Sequence, residues 1–111
     1  MTTRQKRSAT RASVEALPYI EKLLGGRITL GALVEAIRRG EEVTQAEFAE
    51  RLGVSKSHLC DIEKGRKVVS PERASRFAEL LGYSSDHFVR LALQDAIDKA
   101  GLHYTVRLTV A

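Results

Sequence analysis

The sequence predicts a mainly α-helical fold, with five helices between residues 28 and 100 and one strand at the C-terminus. Three observations carry this reading. Apolar residues recur at helical spacing in successive segments. A Ser or Thr precedes each of these segments and a glycine follows it. The period then switches to strict alternation over the last nine residues before Ala111. A length of 111 residues corresponds to about one domain with one modest core, and 43% hydrophobic with 29% charged residues is ordinary for a globular chain.

Residues 1–12, MTTRQKRSATRA, are polar and aperiodic and read as a disordered basic tail. Residues 13–27 read as an N-terminal helix and linker, with Pro18 near the helix start and Gly25-Gly26 breaking the chain. Residues 28–82 read as the core. Thr29 caps a first helix whose stripe is Leu30, Leu33, Val34 and Ile37, and Gly40 stops it. Thr44-Gln45-Ala46-Glu47 is a capping box, so a second helix begins at Gln45, turns Phe48, Ala49 and Leu52 inward, and ends at Gly53. Ser55 caps a third helix, with Val54, Leu59 and Ile62 pointing inward, and Gly65 closes it. Ser70-Pro71 is a cap followed by proline at the first helical position; Ala74, Phe77, Ala78 and Leu81 follow, and Gly82 terminates. Ser84 or Ser85 opens a fifth helix reaching about Ala100, and residues 83–111 read as a dimerisation helix and strand.

Charge is unevenly distributed within a formal net charge of +4. Residues 1–11 hold Arg4, Lys6, Arg7 and Arg11 and no acid. Residues 51–76 hold seven basic residues (Arg51, Lys56, Lys64, Arg66, Lys67, Arg73, Arg76) against Asp61, Glu63 and Glu72. The rest is mildly acidic. Clustered cations on a near-neutral body suit a polyanion met on one side. Solubility charge spread over helix faces is the plainer alternative.

Several classes are disfavoured. The single cysteine, Cys60, allows no internal disulfide, which fits a reducing cytoplasm. Cys60 reads as a packing residue rather than a redox sensor. No apolar run is long enough to span a bilayer, and the basic N-terminus lacks the apolar region of a secretory signal, so no membrane partner is expected. His58, His87 and His103 show no metal-ligand spacing, and no nucleophile–base–acid set can be built. Neither a metal, a cofactor nor an enzymatic activity is expected. Glu41-Glu42 reads as a solvated loop.

The span from Thr44 to Ile62 is the most informative. Two short capped helices are joined by a turn of about three residues containing Gly53. The second presents Lys56, Ser57, His58 and Asp61 on its outer face. Such a helix fits a major groove about 12 Å wide and offers donors and acceptors to base edges, while its N–H groups point toward phosphate. The stretch TQAEFAERLGVSKSHLCDIEKGRK resembles the helix-turn-helix of Xre/Cro/lambda-repressor-type transcriptional regulators. Its marks are Gln45, Glu47 and Ala49 in the first helix, Gly53-Val54-Ser55 in the turn, and Ile62-Glu63-Lys64-Gly65-Arg66 beyond the second. The resemblance covers residues 28–82, about half the chain, and implies a lambda-repressor-like fold.

The same resemblance implies roles. Gln45 would touch phosphate or the outermost base. Ser55 starts the recognition helix, and Lys56, Ser57, His58 and Asp61 would face bases. Lys64, Arg66 and Lys67 would grip the backbone. Arg38 and Glu63 would form a structural salt bridge between the first helix and the end of the recognition helix. His58 and Asp61 depart from the family's usual residues. Lys56 suits guanine O6/N7, and Asp61 suits cytosine N4 or the rejection of wrong registers. The basic tail then has three readings: a solubilising end, a minor-groove arm, or a segment that folds on a protein partner.

The C-terminal pattern bears on oligomeric state. Leu102, Tyr104, Val106, Leu108 and Val110 alternate with polar residues, which signals a half-buried strand, and a strand needs a partner. The fifth helix carries one stripe at Phe88, Leu91 and Ala92 and a second at Val89, Leu93, Ala96, Ile97 and Ala100. Together these predict a two-fold homodimer through Val89, Leu93, Ala96, Ile97 and antiparallel pairing of residues 102–110. Pairing with residues 13–30 of the same chain, or with another protein, are the alternatives.

The expected function is a dimeric, sequence-specific regulator, a repressor, binding double-stranded DNA at a pseudo-palindromic operator in the bacterial cytoplasm, associated with the nucleoid. One alternative is a HigA-like antitoxin that binds both operator and a toxin protein. Another is a helical interaction module without DNA binding.

Overall fold

The computed structural model describes Glu21 and residues 27–111. In chain order the helices are α1 (Leu30–Gly40), α2 (Gln45–Leu52), α3 (Lys56–Glu63), α4 (Pro71–Leu81) and α5 (Ser85–Lys99). The local chemistry of their first turns explains where they start. The hydroxyls of Thr29, Thr44, Ser55 and Ser70 accept from the backbone N–H of Ala32, Glu47, His58 and Arg73, at 3.0–3.2 Å. Each such cap satisfies a donor that the helix itself leaves unpaired and contributes about 1 kcal/mol. Ser84 sits at the cap of α5 without making this bond; its hydroxyl donates to Asp86 instead. Glycines Gly53 and Gly82 end α2 and α4 at φ of 74° and 79°, the left-handed conformation that side chains resist.

The apolar stripes meet in one core. Val34 and Ile37 of α1, Phe48 of α2, Leu59 of α3, Phe77 and Leu81 of α4 and Phe88 of α5 are all fully buried. α5 packs chiefly on α4 and also touches α1, and the Tyr83 ring stacks on Phe88 with centroids 6.1 Å apart. Phe88, Leu91 and Ala92 supply that contact, whereas Val89, Leu93 and Ile97 are half-buried and Ala96 is exposed.

α1 meets α3 backbone to backbone. A Cβ added to Gly31 would lie 1.9 Å from the carbonyl oxygen of Ile62 and 3.3 Å from that of Glu63. Glycine is therefore required in the first turn of α1, where a residue with any side chain would force the helices apart. The same turn is held from its other side. The N–H of Leu30 donates to Asp95 Oδ2 of α5 at 2.9 Å, a carboxylate placed at a helix N-terminus where the dipole favours it.

Three expectations need correction or placement. Residues 102–111 form no strand. They have no regular secondary structure and are held to α5 by the buried Gln94: its Nε2 donates to Tyr104 O and its Oε1 accepts from Val106 N, both at 2.8 Å. A side-chain amide thus occupies the position that strand pairing was expected to fill. Glu41 is not a solvated loop residue. Its side chain is 3% exposed and accepts from Arg51 Nη1 at 2.7 Å. Finally, the basic tail at 1–12 and most of the expected helix at 13–24 lie outside the described residues. Glu21 itself is helical; its carboxylate accepts from Arg90 Nη2 at 3.2 Å and from Ile28 N at 2.8 Å. No described helix is long and apolar enough to cross a membrane.

Gly31→Ala should cost about 3 kcal/mol, because the obstacle is backbone that cannot rotate away, and urea unfolding will measure it. Asp95 gives a second prediction. Burial raises its pKa, the bond from Leu30 lowers it by less, and Asp98 adds to the rise. With the folded value raised, its favourable contribution is complete below the unfolded carboxylate pKa and is lost as pH climbs through the folded value. Asp95→Asn keeps an acceptor for Leu30 and removes this loss. Its stability should therefore gain on the parent as pH rises from about 4 to about 7, read as the difference in urea midpoints.

Candidate nucleic-acid interface

The α2–turn–α3 unit follows from its residues. Gly53 reverses the chain, and Val54 N returns to Ala49 O at 3.0 Å. Ser55 then caps α3, and Leu59 and Ile62 anchor its inner side. This leaves Ser55, Lys56 and Ser57 exposed at the helix start, His58, Cys60 and Asp61 half-buried along it, and Lys64, Arg66 and Lys67 exposed in the loop beyond. Gly65, at φ of 74°, turns the chain out of α3 into that loop.

Beneath the helix ends lies a charged junction. Arg38 Nε donates to Glu63 Oε2 at 2.8 Å and Arg38 Nη2 to Glu63 Oε1 at 3.0 Å, a two-pronged pair between α1 and the end of α3. Arg38 Nη1 donates to Val43 O at 3.1 Å, tying in the loop before α2. The hydrogen bonds to Glu63 hold the Arg38 pKa above its ordinary value against the opposing effect of burial. Gln45 joins this junction: its Nε2 donates to Glu63 Oε1 at 3.0 Å. The amide assigned from sequence to phosphate or base thus turns its donor inward. These residues floor a cleft of about 430 Å³ rimmed by Arg39, Lys56 and Lys64.

The outer residues are also conditioned by neighbours. Arg73, in the first turn of α4, approaches His58 Nε2 to 3.3 Å. A guanidinium only donates, so Nε2 must accept and the ring proton sits on Nδ1. Burial lowers the His58 pKa, and Arg73 and Lys67 lower it further, with Asp61 opposing them. With Nε2 accepting from Arg73, the neutral form of the His58 ring offers one donor, Nδ1–H. Asp61 accepts from Arg66 Nη1 at 3.3 Å and lies 4.0 Å from Lys67 Nζ, so its charge is already partly answered. His58, Lys67, Ser70 and Arg73 line a second hollow of about 290 Å³ beside α3.

Sequence reasoning missed Gly31 and the partnership of Arg73 with His58. A glycine inside a strong helical stripe is itself a sign of close backbone approach. Arg73 was counted among the basic residues, but its neighbour could not be read from spacing.

Residues 29–91 match the model of the helix-turn-helix domain family, which is more than half of the chain. The chain belongs to the helix-turn-helix domain family. This helix-turn-helix protein is also similar to two proteins of Bacillus phage phi105. It is 42% identical over 52 residues to the ImmF control region 10 kDa protein, covering 47% of this chain and 58% of that one. It is 36% identical over 55 residues to the immunity repressor protein, covering 50% of this chain and 38% of that one. The chain thus spans about half the length of the curated relatives it matches. No solved structure matches it. The helix-turn-helix assignment is of the Xre type, as the stretch from Thr44 to Lys67 resembles.

Glu63→Ala should destabilise the helix-turn-helix protein by about 3–5 kcal/mol, since Arg38 is left with an unanswered charge at 12% side-chain exposure. Chemical unfolding of this variant, of Arg38→Ala and of the double variant will show a strongly non-additive cycle.

Proposed function

We propose that the protein is a sequence-specific DNA-binding transcriptional regulator, a repressor, that meets a pseudo-palindromic operator as a dimer in the cytoplasm, on the nucleoid. The observation that carries this is the free N-terminal half of α3, with Lys56 and Ser57 exposed and cations on either flank. Membership of the helix-turn-helix family and the likeness to the phage immunity repressor protein support it.

In this reading α3 enters the major groove. Lys56 and Ser57 meet base edges, and His58 offers its Nδ1 hydrogen to an acceptor such as guanine or adenine N7. Asp61 selects for or against cytosine, tempered by Arg66. Ser55 and the first turn of α3, with Lys64, Arg66 and Lys67, face phosphate. Gln45 acts through Glu63 more than through its own donor, leaving its carbonyl for the duplex. Residues 28–82 form the reading unit, and residues 83–111 the dimerisation unit, through Val89, Leu93, Ala96 and Ile97 of α5 and Leu102, Tyr104, Val106, Leu108 and Val110. Two reading helices related by a dyad span half-sites about 34 Å apart.

Selection from random DNA with purified protein, followed by inspection for a dyad, tests the proposal. No enriched sequence would reject it. On the selected operator, Arg66→Ala or Lys67→Ala should weaken all sequences alike and flatten the salt dependence, while Lys56→Ala should relax one base position by about 1–3 kcal/mol. Affinity should fall steeply, by at least about a thousandfold if six phosphates are met, between 50 and 200 mM salt.

A further inference from the structure

Among the described residues, the C-terminal segment is bonded along one edge, by Gln94. Tyr104 O and Val106 N converge on the single carboxamide of Gln94, which is 1% exposed. A strand residue makes this same pattern toward an extended neighbour. In an extended chain, the backbone groups of residues 103, 105, 107 and 109 point to the opposite side. Among the described residues none of these has a hydrogen-bond partner. Arg27 Nη2 donates to the side chain of Thr105 at 2.8 Å and also pairs with Asp98, which fixes the segment further without using that edge. The even-numbered side chains remain largely open: Tyr104 is 66% exposed, and Leu102 and Leu108 are 47% and 42% exposed.

We propose that Gln94 holds residues 103–109 as a preformed edge that pairs antiparallel with the same segment of a second copy, with Val106 opposite Val106. The proposal rests on the dimer described above and specifies how it is made. Self-pairing is favoured by the side chains themselves. With Val106 on the two-fold axis, Tyr104 faces Leu108 and Leu102 faces Val110, so every apolar residue meets an apolar partner, and Arg107 faces Thr105. A shift that centres on Thr105 strands Val110 and sets Arg107 against His103. A shift that centres on Arg107 strands Leu102 and places two arginines directly opposite. Hydrophobic matching and charge therefore choose one register of three.

The register also places Val106 in a non-hydrogen-bonded pair, where opposed Cα atoms lie about 4.5 Å apart, within the span a disulfide bridges. The test uses the full chain with Cys60→Ala, without DNA, in a glutathione redox buffer. Val106→Cys should form a disulfide-linked dimer at least about tenfold faster than Thr105→Cys, whose copies sit on a diagonal beyond easy bridging. Mixed Tyr104→Cys and Leu108→Cys chains should give the heterodimer in preference to either homodimer. Gln94→Leu in the Val106→Cys background, with helicity checked by circular dichroism, should slow crosslinking about tenfold through loss of the preformed edge. Faster linkage through Thr105→Cys, or none in any variant, overturns the pairing. Unchanged linkage with Gln94→Leu overturns the role of Gln94. Because the readout needs no operator, failure here is separable from failure of the DNA reading.

Discussion

The structure depends on the seam between α1 and the end of α3. Gly31 lets the two backbones touch at Ile62, and Arg38, two turns further on, grips the carboxylate of Glu63. One contact is steric and the other ionic, and both act on the same turn of the recognition helix. A helix of eight residues has little stability of its own, so its direction is whatever its packing imposes. The buried Arg38–Glu63 pair is weak evidence for net stability, since burying two charges costs about as much as their attraction returns. Its geometry fixes orientation, and orientation is what a groove-reading helix requires.

The side chains that face outward are not independent of this frame. Gln45 is drawn toward Glu63, His58 is assigned its tautomer by Arg73, and Asp61 is shared with Arg66 and Lys67. Each neighbour alters what a base edge would meet. A histidine could present either nitrogen; this one presents a donor. An aspartate could repel phosphate; this one arrives with cations beside it. The chemistry offered to a duplex is set by pairs of residues drawn from α3 and the elements around it, and a list of exposed letters on α3 would misstate it.

Much of the fold was legible in the sequence, and the reasons are local. Thr29, Thr44, Ser55 and Ser70 each cap a helix through a bond to the residue three positions on, so the starts of α1 to α4 could be read from adjacent letters. The stripes Leu30–Ile37 and Ala74–Leu81 are buried where their period places them. What could not be read was decided at a distance. Glu41 looks like a solvated loop residue until Arg51 of α2 is brought to it. The alternation from Leu102 to Val110 is a sound sign of extended backbone, but periodicity does not say what pairs with it, and a glutamine eight residues before Leu102 does so on one side. At the candidate site, the turn and the outward positions followed from spacing, whereas the partners of Gln45, His58 and Asp61 depended on how α2, the start of α4 and the loop after α3 fold back against α3.

The carboxylate of Asp95 at the start of α1 has a wider mechanical meaning. It joins α5 to the turn that carries Gly31, and Gly31 rests on α3, so two consecutive rigid contacts link α5 through α1 to α3. Nothing along that route is a flexible tether. If α5 joins two copies, the separation of their reading helices is set like the jaws of a locked calliper, and an operator with one base pair more or fewer between its halves would find no compliant hinge to accommodate it.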